Sequence, residues 1–391
     1  MQWRGVVGRL GEMRLLICFW LVAAGSALAL ELNPAVLGKI GPAMEAAVAG
    51  KEAAGMVTLV MKEGKVVHHE AAGMADVAGG KPMAKDAVFW IASMTKSING
   101  TALMMLVEEG KVTLDEPAAK WLPGLAKVKM KDGSAPKTAI TLRMLLSHTA
   151  GIAFPPRKAD DGAVSLKQYV DRLIAAPLAF EPGSDYEYGF GPTVAGRLLE
   201  VVTGKPYEVF LKERLFEPLG MVDTMFHPDE ARRARIAQTY KLDEETKELV
   251  VSYNPFFTSS AAVKRMVEPA GGLFSTAADM GRFYAMVANG GELDGKRLLS
   301  EKAVKEMTTP VSAGGKPITY GLGWQCCTEA NAKMSPLGVG TFGHGGAFGT
   351  NGWVDPVRKV ATVFLVQNVL VPAGGKPKEV FQRLVTEAAG Q

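Results

Sequence analysis

Val88-Phe89-Trp90-Ile91-Ala92-Ser93-Met94-Thr95-Lys96 runs from an apolar stretch into the opening of a helix, with a serine three residues before a lysine. On a helix, residues i and i+3 share a face, so Ser93 Oγ and Lys96 Nζ can meet. A serine hydroxyl is a weak nucleophile. A lysine amine deprotonates it only where burial or neighbouring cations lower the lysine's pKa. A helix start also aims backbone N–H groups at a developing oxyanion. The same four residues equally describe an N-capping serine beside an exposed lysine, so the rest of the chain must decide.

Two further stretches carry the same ambiguity. Glu181-Pro182-Gly183-Ser184-Asp185-Tyr186-Glu187-Tyr188-Gly189 leads into a helix. Tyr188 can relay a proton between nucleophile and leaving group if nearby cations hold its pKa down; otherwise it packs on that helix. Gly343-His344-Gly345-Gly346-Ala347 lies on a predicted strand, where two glycines leave room for a substrate. There Ala347 can offer a second oxyanion N–H, and His344 can face the cleft as a cationic or hydrogen-bonding group. The plain alternative is a bulged strand with a surface histidine.

Around these motifs the composition is that of a globular enzyme. In 391 residues, 44 Lys+Arg stand against 40 Asp+Glu, interspersed rather than striped, which argues against a nucleic-acid partner. No His/Cys cluster suggests a metal, and no organic cofactor is implied. Cys326 and Cys327 are adjacent; a vicinal bridge is strained and staples nothing, so two thiols beside a strand are expected. His68-His69-Glu70 in a strand-like run reads as structural.

Arg4, Arg9 and Arg14 precede an apolar run from Leu15 to Ala24 and then Gly25-Ser26-Ala27-Leu28-Ala29. This reads as a signal peptide over 1–29 that starts at Met1 or Met13, and it predicts a periplasmic or secreted protein with no stable membrane insertion after cleavage.

Helical spacing of Val36, Leu37, Ile40, Met44 and Val48 predicts a helix over Asn33–Gly50. A hairpin over Met56–Ala72 turns at Lys62-Glu63-Gly64-Lys65. Strands Gly345–Val354 and Val360–Val369 pair around Asp355-Pro356, and a last helix covers Pro377–Ala389. The stretch from Met94 to about Val263 is mostly helical. One sheet built from both chain ends explains this pattern: an α+β lobe (about 30–92 and 264–391) and a helical lobe (about 93–263), with a cleft between them.

The chain resembles the serine β-lactamase and penicillin-binding-protein superfamily over about residues 40–370, nearest the class C β-lactamase-like branch with D-Ala-D-Ala carboxypeptidases and family VIII esterases. Phe89–Lys96, Leu142-Arg143-Met144-Leu145-Leu146-Ser147-His148-Thr149-Ala150-Gly151, Phe216-Glu217-Pro218-Leu219-Gly220-Met221, Pro269–Thr276 and Tyr320-Gly321-Leu322-Gly323-Trp324 carry the likeness in the family's order. The resemblance implies a β-lactamase/DD-peptidase-like fold, an antiparallel sheet flanked by helices. It implies Ser93 as acylated nucleophile, Lys96 as general base and Tyr188 as the second-motif tyrosine. His344-Gly345-Gly346 falls where the family usually has Lys-Thr-Gly, and Ala347 N–H would join Ser93 N–H in the oxyanion hole. His148 is implied to be structural.

Two departures bear on substrate. Tyr188-Gly189-Phe190 lacks the Asn of Tyr-x-Asn that binds the amide of β-lactams and peptides, so Phe190 would leave such an amide unpaired. A neutral histidine at 344 holds a carboxylate more weakly than a lysine does. Three readings follow: an esterase acting through acyl-Ser93, the same chemistry on peptide-like amides or β-lactams, or a binding protein that kept the fold. An apolar substrate wall is expected from Phe190, Phe154-Pro155-Pro156 and the Tyr253–Phe257 segment. Two formal motifs are set aside: Gly290 to Lys296 is a turn rather than a phosphate loop, and Asn99-Gly100-Thr101 is a glycosylation triplet inside a helix.

Overall fold

At the Lys62–Lys65 turn, Glu63 (φ 52°) and Gly64 (φ 82°) both take left-handed backbone, the conformation that lets a two-residue hairpin follow the twist of its strands. The computed structural model describes residues 31–153, 165–252, 266–335, 337–369 and 375–390. The turn joins β1 (Gly55–Lys62) to β2 (Lys65–Asp76), which pairs with the short β3 (Lys81–Pro82). From the other end of the chain come β4 (Gln325–Cys326), β5 (Phe342–Gly345), β6 (Asn351–Asp355) and β7 (Val360–Val366). All seven form one antiparallel sheet in the order β4-β5-β6-β7-β1-β2-β3.

The apolar run of β1 is continuous because both faces of the sheet are covered. Val57, Leu59 and Met61 enter the main core, whereas Met56 and Val60 enter a second core on the other face. Helix α1 (Ile40–Ala49) and the C-terminal helix covering Gly375–Ala388 share that second core. Helix α1 is shorter than the periodicity predicts. Pro42 cannot bond a preceding carbonyl, so the chain breaks after a short helix at Pro34–Leu37 and restarts with Pro42 in the first turn.

A second difference concerns Gly345–Val354, expected as a single strand. The chain reverses at Ala347–Gly349, where Phe348 (φ 66°) and Gly349 (φ 97°) are left-handed, so β5 and β6 are separate neighbours. The mainly helical middle also contains strands Tyr240–Leu242 and Leu249–Val251, which form a small sheet with Asn368–Val369. Cys326 and Cys327 are buried free thiols, and His68 is buried with Nε2 2.7 Å from Thr58 Oγ1.

Helix α2 (Thr95–Glu108) is buried from Thr95 to Leu106 and begins directly behind Ser93. Asn99 on it donates to Pro192 O (2.8 Å) and accepts from Tyr207 OH (2.9 Å), locking α2 to the start of α3 (Gly191–Thr203). Its side chain is fully buried, so the glycosylation triplet is inaccessible in the folded chain. Asn99→Ala strands both partners and is expected to lower unfolding stability by about 2–4 kcal/mol, read by urea denaturation.

Candidate active site

Ser93 sits in the middle of a 3₁₀ turn, Ala92–Met94, that feeds α2. Ala92 holds φ 47°, a strained value for a residue with a Cβ, and the surroundings over-determine it. Thr95 Oγ1 donates to Ala92 O (2.6 Å) and accepts from Leu273 N–H (3.3 Å), while Ile91 N–H donates to Leu273 O (3.0 Å). Trp90 Nε1 donates to Gly271 O at 2.6 Å. The Pro269–Thr276 motif therefore braces the strand before the serine. Ala92 and Met94 are buried, and Ser93 alone of the three keeps partial exposure.

The i, i+3 spacing brings Lys96 Nζ to 3.0 Å from Ser93 Oγ. Nζ also donates to Ala270 O at 2.6 Å, and the side chain is 3% exposed. Burial pushes the amine down to about 7, against the opposing pull of Glu268. Near neutral pH a sizeable fraction is thus unprotonated and able to accept the serine proton.

Tyr188 hydrogen-bonds Ser93 and places its ring 4.7 Å from Lys96 Nζ. Its pKa is not held down: burial, against the opposing Ser93 hydrogen bond, pushes the phenol up to about 12. Tyr188 is therefore a protonated donor rather than a tyrosinate. His148 packs against it, tilted by 32° at 4.4 Å between centroids, and accepts from Gly189 N–H at 3.0 Å. This histidine, assigned a structural part from the motif, forms a wall of the site.

His344 differs most from expectation. It is 1% exposed, with Nε2 2.9 Å from Tyr320 OH and Nδ1 2.6 Å from Gly345 O. A carbonyl only accepts, so Nδ1 carries the proton and Nε2 takes that of Tyr320. Burial, with the Lys96 charge adding to it, pushes the imidazole down to about 3. Of the two parts expected of His344, cationic or hydrogen-bonding, the geometry supplies the second: a neutral imidazole with both nitrogens engaged. The alternative of a surface histidine does not hold: His344 is buried on β5, which lies between β4 and β6.

After Gly345 the turn packs against the nucleophile segment. Gly346 is required there, since a Cβ would collide with Ile91 O and Thr350 Oγ1, and Thr350 Oγ1 donates to Ile91 O at 3.3 Å. Ala347 opens the turn and is exposed, and Phe348 meets Trp90 edge-on at 5.0 Å. Phe190 caps α3 and is half-buried against Tyr169, 5.8 Å between centroids. Phe154–Pro156, Tyr253–Phe257 and residues 1–29 lie outside the described residues.

Glu268, Ala270 and Tyr320 are site residues that sequence reasoning missed. All three fall within or beside quoted motifs, but their motif positions carry no chemical signal. A carbonyl acceptor looks the same on any residue.

The geometry defines a serine hydrolase of the Ser-x-x-Lys type. The Beta-lactamase family model matches residues 42–385. Protein Rv1367c of Mycobacterium tuberculosis is 32% identical over 347 residues, covering 80% of this chain and 86% of its own. Esterase EstB of Burkholderia gladioli is 28% identical over 343 residues, 80% and 85% of the two chains. The solved structure of EstCE1, a hydrolase with promiscuous acyltransferase activity, superposes with a TM-score of 0.77 at 23% identity, over 92% and 99%. The chain belongs to the β-lactamase family and is a β-lactamase-related serine hydrolase.

Two outcomes follow from this site. With the neutral Lys96 amine expected as base, Ser93 acylation should rise with pH through about 7 and level off above it, measured as kcat/KM against pH. Tyr188→Phe keeps the ring against His148 but removes the proton donor, and should cut kcat by about 10²–10⁴ with unchanged thermal stability.

Proposed function

We propose that the protein is an exported carboxylesterase acting through an acyl-Ser93 intermediate in the cleft between an α+β lobe and a helical lobe. The observation that carries this reading is His344. At the position where the family resemblance predicts a lysine, it offers a neutral ring with both nitrogens engaged, so a substrate carboxylate finds no counter-charge there. Phe190 likewise has no donor or acceptor for a substrate amide. An uncharged ester needs neither contact. The esterase activity in the name of the Burkholderia gladioli relative agrees with this choice.

In the proposed reaction, neutral Lys96 takes the Ser93 proton across 3.0 Å as Oγ attacks the ester carbonyl. The oxyanion is held by the N–H groups of Ser93 and Ala347, and the glycines at 345 and 346 let the substrate lie close to the strand. Tyr188, protonated because it is buried, donates to the departing alkoxide and is recharged from Lys96. Water then deacylates the serine by the reverse proton path. Export rests on the basic, apolar and A-x-A order of residues 1–29. Among the described residues no helix is long and apolar enough to cross a membrane.

Hydrolysis of p-nitrophenyl butyrate tests the reading. Steady turnover that falls about a thousandfold or more in Ser93→Ala is expected. Negligible rates in both proteins, with turnover of a D-Ala-D-Ala peptide or a penicillin instead, would replace the esterase with an amidase on the same serine.

A further inference from the structure

Behind the lysine lies a carboxylate that the Ser-Lys-Tyr set does not include. Glu268 is 6% exposed, and its Oε1 accepts from Ala270 N–H at 2.8 Å and from Thr193 Oγ1 at 2.5 Å. Ala270 O in turn accepts from Lys96 Nζ at 2.6 Å. One carboxylate oxygen thus ties the loop that holds the base to the first turn of α3, which Asn99 also anchors through Pro192. Taking a carboxylate out of water is costly, and hydrogen bonds with a nearby positive charge offset that cost.

The charges around the lysine make its effect specific. Lys96 is faced by Ser93, by the Tyr188 ring and by His148 and His344, both kept neutral by burial. Glu268 is faced by Thr193 and by Tyr207, which burial keeps protonated. The Glu268 charge favours the ammonium form of Lys96, opposing burial.

We propose that Glu268 is a positioning residue for the general base: through Ala270 N–H and Thr193 Oγ1 it fixes the carbonyl that orients Nζ, and its buried carboxylate acts as a counter-charge to the lysine. This rests on Lys96 acting as base for Ser93. The ammonium that recharges Tyr188 is the one formed when Lys96 takes the Ser93 proton, and the Glu268 charge favours that form.

The test is phosphonylation of Ser93 by an alkyl fluorophosphonate, followed by intact mass across the pH range. Ser93 Oγ forms the P–O bond, fluoride leaves, and the serine proton passes to Lys96, so the rate reports the base without needing the natural substrate. Glu268→Gln keeps an oxygen for both hydrogen bonds and replaces the second, charged oxygen with a neutral amide NH2. Losing an anion beside a lysine favours the neutral amine, so the acid limb should move down by about 0.5–1.5 pH units. At about pH 6 the variant should then label several-fold faster than the wild type, with equal rates at high pH. Glu268→Asp keeps the charge but withdraws the oxygen by one methylene, so its limb should stay in place while its plateau drops about tenfold.

A Gln limb that coincides with the wild type, or Asp labelling at the wild-type rate throughout, would overturn the proposal. If Glu268→Gln fails to fold by thermal melting, the Asp plateau decides. Absence of labelling in the wild type at every pH would sink the acyl-serine reading together with the role of Glu268. Normal labelling with an unshifted limb would sink only the latter.

Discussion

A lysine held out of water beside a serine hydroxyl is the constraint on which the rest of this structure turns. At 3% exposure Lys96 has lost most of its hydration, and Ser93 Oγ and Ala270 O replace part of it. A fully solvated amine would stay protonated and could accept nothing from the serine; a fully isolated one would hold no proton to return. The observed position lies between these limits. Reaching it requires α2 to be buried almost throughout, between α3, the helix Glu301–Thr308 and strand β5.

That requirement explains the topology. A strand from the middle of the sheet, β1, is flanked by β2 and by β7 from the far end of the chain. The sheet closes only when both ends have arrived, and the long middle segment is thereby folded back over α2. The nucleophile turn is then gripped from several distant stretches: Leu273 and Gly271 from the Pro269–Thr276 motif, Thr350 from the β5–β6 turn, and Gln367, whose Nε2 donates to Trp90 O at 3.0 Å. The left-handed Ala92 survives because these partners leave no alternative.

The neighbouring aromatics follow the same logic. His148, Tyr188, Tyr320 and His344 pack ring against ring, and each ring that is buried excludes water from the next. Burial has opposite signs for the two chemistries: it keeps the phenols protonated and the imidazoles neutral. The cluster therefore supplies a dry wall with one reactive cation-forming group, Lys96. Such a wall suits an uncharged acyl group better than a carboxylate.

Much of this was legible in the residues alone. The Ser93–Lys96 contact follows from helix geometry and the hairpin at Glu63-Gly64 from turn chemistry, because each depends on neighbours within a few positions. Motifs in the family's order identified the class and marked Tyr188 and His344. What tertiary structure decided is the charge state and company of those groups. His344 is neutral, Tyr188 is protonated, Ala347 opens a reversal rather than lying in a continuous strand, and Glu268 stands behind the base. Solvent exclusion and electric field at a side chain are sums over residues hundreds of positions apart, and no local spacing encodes them.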